Sequence, residues 1–329
     1  MTAAYTNENE VFARWRIKNS RRVTKMYAVI DVGSNTIRLV LYRIKDGELR
    51  QILSSKESAG LAGYTDKQGR MTQKGIRRLV SALLHFREIV ESVGTPQTYV
   101  FATASLRNVA NTEEILEKIS ADCGMEVRVL TGREEAMLDY FGAARSLGQS
   151  GGLLADVGGG STELVFFSAG TARAACSIPI GSLNLYNEFV KGILPSKKEL
   201  DRIREYTEAL LKAEGIPAGT QPAGVLCGVG GTARASCLLC DELFDTQNGY
   251  GGFPAKRMKK MLRMCSEDKA RLLQAMLRAA PDRLHTLLPG LTVLETVAGY
   301  YGCTQFFVSP YGVREGYLLR MLEGGDADA

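Results

Sequence analysis

Leu153-Leu154-Ala155-Asp156-Val157-Gly158-Gly159-Gly160-Ser161-Thr162-Glu163-Leu164-Val165-Phe166-Phe167 runs from apolar residues through a carboxylate, three glycines, two hydroxyls and a second carboxylate, back to apolar residues. The flanks read as buried strands and the middle as the turn that joins them. Adjacent glycines let a turn take positive φ at any central position. They also remove every Cβ, so backbone N–H groups can approach an anion closely. Ser161 and Thr162 add hydroxyl donors, and Asp156 and Glu163 flank the turn with hard oxygens of the kind Mg²⁺ prefers. A hairpin with glycines for geometry alone would account for the glycines but for neither carboxylate. The turn is therefore read as a phosphate-binding element with a place for its counter-cation.

Working outward, the same plan occurs once before. The strand at 27–30 runs into Asp31-Val32-Gly33-Ser34-Asn35-Thr36, a second strand follows at 37–44, and Asp46-Gly47 turns the chain into a third at 49–54. From 153 the order recurs, with Ser168-Ala169-Gly170 as the later turn and a strand ending near Ile180. Asp31 and Asp156 lie 125 residues apart and hold the same place in each copy. An internal repeat of this kind predicts an α/β protein of two duplicated domains with its site in a cleft between them. The expected boundaries are a basic extension at 1–25, a first domain at 26–138 and a second at 139–329. The last helix, at about 313–322, is expected to pack back on the first domain. Helices are expected at 72–93, 112–123, 131–147 and 197–214, and over 254–278 with many basic residues on one face. Strands are expected at 97–102, 126–130 and 306–309, and Gln149-Ser150-Gly151-Gly152 reads as a joint.

Composition narrows the function classes. At 329 residues and 45% apolar content the chain can bury two cores. No window approaches 18 consecutive apolar residues and no apolar leader opens the chain, so neither a membrane span nor a secretory signal is expected. Seven cysteines at irregular spacing point to a reducing cytoplasm. The formal charge of +5 is concentrated at 1–25, where Arg14, Arg16, Lys18, Arg21, Arg22 and Lys25 face only Glu8 and Glu10. That arm reads as a solvated extension, and no nucleic-acid-binding face is expected on the body.

Three glycine-rich turns, at Asp31–Thr36, at Asp156–Glu163 and at Gly228-Val229-Gly230-Gly231-Thr232, resemble the phosphate-binding turns of the actin, Hsp70 and sugar-kinase superfamily, whose domains are ribonuclease H-like. Within it, Ala102-Thr103-Ala104-Ser105-Leu106-Arg107, Thr131-Gly132-Arg133-Glu134-Glu135-Ala136 and Tyr311-Gly312-Val313-Arg314-Glu315-Gly316 resemble the exopolyphosphatase and guanosine pentaphosphate phosphohydrolase family in its two-domain form. The resemblance covers 26 to about 322. It implies a hydrolase that moves a terminal phosphoryl group from inorganic polyphosphate or a guanosine polyphosphate to water, with Mg²⁺ or Mn²⁺, in a homodimer. By it, Glu135 is the general base. Asp156 and Glu163 hold the metal, with Asp31 a further candidate. Gly158, Gly159, Gly160, Ser161 and Thr162 bind the terminal phosphate, together with Ser34, Asn35, Thr36, Arg38 and Arg107. Only the resemblance prefers Glu135 to Glu134, since both carboxylates suit the first turn of a helix. Arg314 and Glu315 read as a structural ion pair.

The sequence departs from that pattern in three places. Asn248-Gly249-Tyr250 stands where many members have His-Gly-Tyr, Asn184 stands where many have Arg, and Arg234 follows the third turn where a small hydroxyl residue is common. Two rival classes remain, a non-catalytic sensor of polyphosphate or guanosine polyphosphates and an actin-like ATPase or kinase. Other chemistries fall away. His85 and His285 are the only histidines, and no Gly-x4-Gly-Lys-Ser/Thr loop is present. Cys265 and Arg271 have a cysteine-phosphatase spacing, but Glu267 and Asp268 between them would repel phosphate. Cys237 and Cys240 form an isolated pair on an apolar helix and read as core.

Overall fold

A computed structural model of the chain describes residues 25–45, 48–94, 96–147, 151–214 and 224–323. The turn expected at Asp46-Gly47, the start of the joint at Gln149, and the basic arm before Lys25 lie outside them. The described chain forms two compact units, one of residues up to Glu134 together with those from Tyr317, the other of Glu135–Gly316. The first carries β1 (Lys25–Val32), β2 (Thr36–Lys45), β3 (Glu48–Ser58), α1 (Gln73–Ser92), β4 (Gln97–Ala102), α2 (Ala104–Arg107), α3 (Thr112–Cys123) and β5 (Val127–Val129). Its sheet order is β3-β2-β1-β4-β5. Ile76, Leu79, Leu83 and Phe86 of α1 pack with Ile30, Ile37 and Leu39 in its core. Tyr317 belongs to this unit, stacked on Phe101 at 4.8 Å.

The second unit follows along α4 (Gly132–Leu147, from Glu135 on), β6 (Gly152–Val157), β7 (Thr162–Ser168), β8 (Thr171–Ile178), α5 (Ser182–Phe189), α6 (Lys197–Ala213), β9 (Val225–Val229), α7 (Gly230–Phe244), β10 (Phe253–Pro254), α8 (Lys256–Glu267), α9 (Lys269–Ala279), α10 (Leu287–Tyr300), β11 (Gln305–Val308) and the start of α11 (Val313–Leu322), which from Tyr317 belongs to the first unit. Its sheet runs β10-β11-β9-β6-β7-β8. Apart from the short β10, this is the first sheet's order again. The duplication holds at the level of single bonds. Gly33 N–H donates to Thr36 O at 3.2 Å, and 125 residues on Gly158 N–H donates to Ser161 O at 3.0 Å. A β-bulge at Leu41/Tyr42 recurs at Phe166/Phe167, again offset by 125. An inserted residue bends and twists its strand, so the copies share curvature as well as order.

Two expectations change. The helical pattern over 254–278 is two helices, because Asp268 leaves the helical backbone (φ −153°, ψ 73°) and its side chain accepts the Arg271 N–H at 3.1 Å, opening a new helix. The buried α10 was absent from the sequence reading: Leu287 to Leu294 are buried on every side, so the helix shows no amphipathic period.

Candidate active site

Glu134 and Glu135 are neighbours at the start of α4, and the fold gives them different work. Thr131 N–H donates to Glu134 Oε2 at 2.6 Å, and Glu134 N–H donates back to Thr131 Oγ1 at 3.2 Å, a reciprocal helix cap. Arg128 Nη2 adds an ion pair to Glu134 Oε1 at 2.9 Å. Burial acts to raise the Glu134 carboxyl, but Thr131 and Arg128 outweigh it and hold it below the usual range. Glu134 is thus committed to opening the helix. Glu135 is buried, and one turn further along α4 Asp139 has no solvent exposure at all. The Asp139 carboxyl is pushed well above the usual range by burial first, and then by the charges of Asp156, Glu135 and Glu163. Four carboxylates therefore share one neighbourhood. Neither oxygen of Asp139 has a hydrogen-bond partner, and the Val313 N–H approaches it without reaching bonding geometry.

The sheet supplies two of the four. Asp156 and Glu163 are direct partners in the β6–β7 pair, so both side chains leave the same face at the strand ends. Glu163 is buried, and its Oε1 accepts from Ser177 Oγ at 2.7 Å. In the other copy the equivalent pair is Asp31 and Arg38, whose charges are opposite. Like charges facing each other across a ladder destabilise it, so only the second copy carries an anionic pair that calls for a cation or a shared proton.

The turn between these strands is anchored by its carbonyls. Gly158 O accepts from the Ser182 N–H and hydroxyl, and Gly159 O from the N–H groups of Leu183 and Asn184. Asn184 Nδ2 donates to Gly160 O at 3.3 Å, while its Oδ1 accepts the Gly181 N–H at 2.7 Å. Asn184, which replaces an expected cation, therefore ties the first turn of α5 to the loop. Gly181 is required there, because a Cβ would lie 2.4 Å from Gly159 C and Gly160 N. Among the described residues the N–H groups of Gly159 and Gly160 find no protein acceptor. Ser161 lies in the same turn, 3% exposed. Thr162 is the exception in the expected donor set: it is wholly buried and its hydroxyl donates to Ile180 O at 2.7 Å.

The third glycine-rich turn passes close to Asp156. Gly230 has φ +79°, and a Cβ on it would lie 2.2 Å from Asp156 Oδ1; one on Gly231 would lie 2.0 Å from Arg283 Nη2. These glycines let the start of α7 lie against a carboxylate and a guanidinium. Arg234, one turn into α7, has its pKa lowered by burial and by the Arg314 charge, against the attraction of Glu315 and Asp156. Burial likewise lowers Arg283, opposed by Asp282 and Asp156. Both arginines feel Asp156 through space and are poorly hydrated, the condition in which a guanidinium gains most from an arriving anion. Glu315 is buried and accepts the Gly312 N–H at 2.9 Å. Gly316 and Gly142 let this segment meet α4 backbone to backbone, with 1.9 Å and 2.2 Å left for a Cβ.

The remaining expected residues belong to the first unit. Ser34, Asn35 and Thr36 form its turn, closed by carbonyl bonds from Ala62, Gly60 and Gly33 N–H. Arg38 Nη1 donates to Ser54 Oγ at 3.1 Å, and Arg107 Nη1 donates to Leu130 O at 3.0 Å. Asn248 offers its backbone N–H to Asp241 Oδ1 at 3.3 Å. Asp139 and Arg283 were missed by sequence reasoning. Neither sits in a recognisable motif, and Arg283 is 127 residues from Asp156.

A sheet duplicated to the bond, with glycine-rich turns at its strand ends and carboxylates beside one of them, defines a two-domain actin-like protein that handles phosphate. Residues 40–324 match the Ppx/GppA phosphatase family, and the chain belongs to it. Exopolyphosphatase 1 of Mycobacterium tuberculosis is 26% identical over 311 residues, covering 90% of this chain and 88% of that protein. The Mycobacterium leprae exopolyphosphatase 1 is 26% identical over 309 residues, with 90% and 89% covered. The crystal structure of the Aquifex aeolicus Ppx/GppA family member superposes with a TM-score of 0.74 at 26% identity, covering 92% of this chain and 99% of that one. An exopolyphosphatase from Cytophaga hutchinsonii shares the fold at a TM-score of 0.80 and 20% identity, with 93% and 100% covered.

Proposed function

We propose that this protein is an exopolyphosphatase that releases the terminal phosphate of inorganic polyphosphate, and that guanosine pentaphosphate is a second substrate of the same site. One observation carries the reading. Asp156 and Glu163 face each other at a strand end, beside Glu135 and beside a loop whose Gly159 and Gly160 N–H groups have no protein acceptor. The N–H groups, with Ser161, bind the oxygens of the terminal phosphoryl group, and Arg234 and Arg283 hold the phosphates behind it. Glu135 orients the attacking water and takes its proton on a carboxylate oxygen. Asp139, Asp156 and Glu163 share its neighbourhood, and a carboxylate held within reach of a bound water is the geometry a general base needs.

Mg²⁺, with Mn²⁺ as the alternative, is the proposed cofactor, and the donor set fits it. Among the described residues no three His, Cys, Asp or Glu side chains form a complete metal cage. Mg²⁺ usually needs only one or two carboxylates and completes its shell with water and substrate phosphate, and Asp156 and Glu163 supply that number. When bound, it neutralises charge on the transferring and leaving oxygens. All seven cysteines are free thiols, which suits a reducing, cytoplasmic setting. Among the described residues no helix is long and apolar enough to cross a membrane. A homodimer is the expected assembly, tested by light scattering.

The test is phosphate release from long polyphosphate, tripolyphosphate, guanosine pentaphosphate and ATP, for the native chain and Glu135→Gln. Release from polyphosphate that falls by 10² to 10⁴ in the variant, with substrate still bound, supports the reading. Turnover confined to ATP would make this an ATPase, and binding without release would make it a sensor.

A further inference from the structure

Charge on this chain is segregated in a way the catalytic site does not use. Residues 256–279, the α8–α9 hairpin, hold eight lysines and arginines against Glu267 and Asp268, a net +6 that exceeds the +5 of the whole sequence. On α8 the charges form a stripe. Lys256, Lys259, Lys260 and Arg263 are exposed, while Met258, Met261, Leu262 and Cys265 fill the opposite, buried side. Positions i, i+3, i+4 and i+7 share one helix face, so four cations line up over roughly 10 Å at 1.5 Å per residue. Arg263 is answered by Glu267 at 2.9 Å. No ion pair answers the three lysines among the described residues. Like charges this close repel, a cost that an acidic surface partner would normally relieve and that a bound polyanion relieves as well.

The stripe is tied to the site by α7. Arg234 lies one turn into that helix and feels the Asp156 charge through space. At its other end Phe244 carries the Arg257 guanidinium 5.4 Å over its ring, and Arg257 also donates to Cys240 Sγ at 3.8 Å. From Gly230 to Cys240 the helix covers about 15 Å. A long linear substrate held at the loop can span that distance; a short one cannot.

We propose that the α8 stripe is an exosite for the distal part of a long inorganic polyphosphate chain, centred on Lys256, Lys259 and Lys260; this rests on the polyphosphatase reading. A bare phosphate chain fits better than a nucleic acid. The hairpin contains no Phe, Tyr, Trp or His on which bases could stack, and stacking is the usual companion of a basic groove that binds single strands.

The test is the triple variant Lys256→Gln/Lys259→Gln/Lys260→Gln, in which glutamine keeps helix propensity while removing charge. Circular dichroism and melting temperature should match the native chain. For long polyphosphate KM should rise at least about fivefold with kcat unchanged, and the log–log salt slope of binding should shrink by about 2, near 0.7 per lost contact. Tripolyphosphate kinetics should not move. Unchanged long-chain KM, or equal shifts for both substrates, overturns the exosite. If the native chain releases no phosphate from either substrate, the polyphosphatase reading fails separately. Equilibrium binding of long polyphosphate to native and variant protein then decides the exosite, equal affinities overturning it. Tighter binding of duplex DNA than of polyphosphate to the native chain, lost in the variant, would overturn it in favour of a nucleic-acid surface.

Discussion

At the scale of single residues, the separation of Glu134 from Glu135 is the sharpest result. Glu134 is held by Thr131 and Arg128, so Glu134→Gln should cost about 1 kcal/mol of stability and leave kcat within about twofold. Glu135→Gln should do the reverse. Thermal melts and single-turnover assays on the pair check this, and a kcat loss shared by both would undo the division. Asp139 gives a second prediction. Its folded-state pKa is raised, by burial first and then by three neighbouring charges, so the folded protein binds its proton more tightly than the unfolded chain does. The stabilisation is complete below the unfolded pKa of about 4 and is lost as pH rises toward the folded value. Asp139→Asn, neutral throughout, should therefore raise Tm at pH 7 to 8 in the presence of a chelator and flatten the decline of stability above pH 4. An unchanged pH profile would show that Asp139 is not the group responsible.

At the scale of elements, the glycine-rich loop proposed to bind phosphate is only as well placed as α5 behind it. Five backbone or side-chain donors from Ser182, Leu183 and Asn184 fix its carbonyls, and the Gly159 and Gly160 N–H groups are left without a protein acceptor among the described residues. Gly181→Ala would put a methyl 2.4 Å from the loop backbone. Displacing the loop by about 1 Å should lower kcat/KM by about 10², while α5 keeps its Asn184 cap and the far-ultraviolet spectrum holds. Activity within a few fold of native would mean that the loop is free to adjust. Helices with one apolar face were legible beforehand: α1 is opened by Thr72, whose hydroxyl accepts the Gly75 N–H at 3.4 Å. The break at Asp268 and the buried α10 were not, because a polar cap inside a basic run and an all-apolar helix both lack a periodic signal.

At the scale of the molecule, duplication has left one copy with a neutralised strand-end pair, Asp31 and Arg38, and the other with an anionic one, Asp156 and Glu163. A cation that binds the second pair in the folded state alone should stabilise the protein by about 2.7 kcal/mol at a hundred times its dissociation constant. Calorimetry with added Mg²⁺ should show Tm rising for the native chain and not for Asp156→Asn/Glu163→Gln. An equal rise in both would move the cation elsewhere.

The sequence by itself determined the repeat. Glycines that tolerate tight turns, carboxylates beside them and apolar runs around them are local properties, and they sufficed for the three turns and for the 125-residue offset that even the bulges obey. The resemblance alone preferred Glu135 to Glu134, and the tertiary structure supplied the physical ground, since a helix start favours both until Thr131 and Arg128 claim Glu134. It alone gathered Asp139 and Arg283 around Asp156, and it committed the Thr162 hydroxyl to Ile180. Burial and through-space charge depend on which distant segments meet, and no local pattern in the chain encodes that meeting.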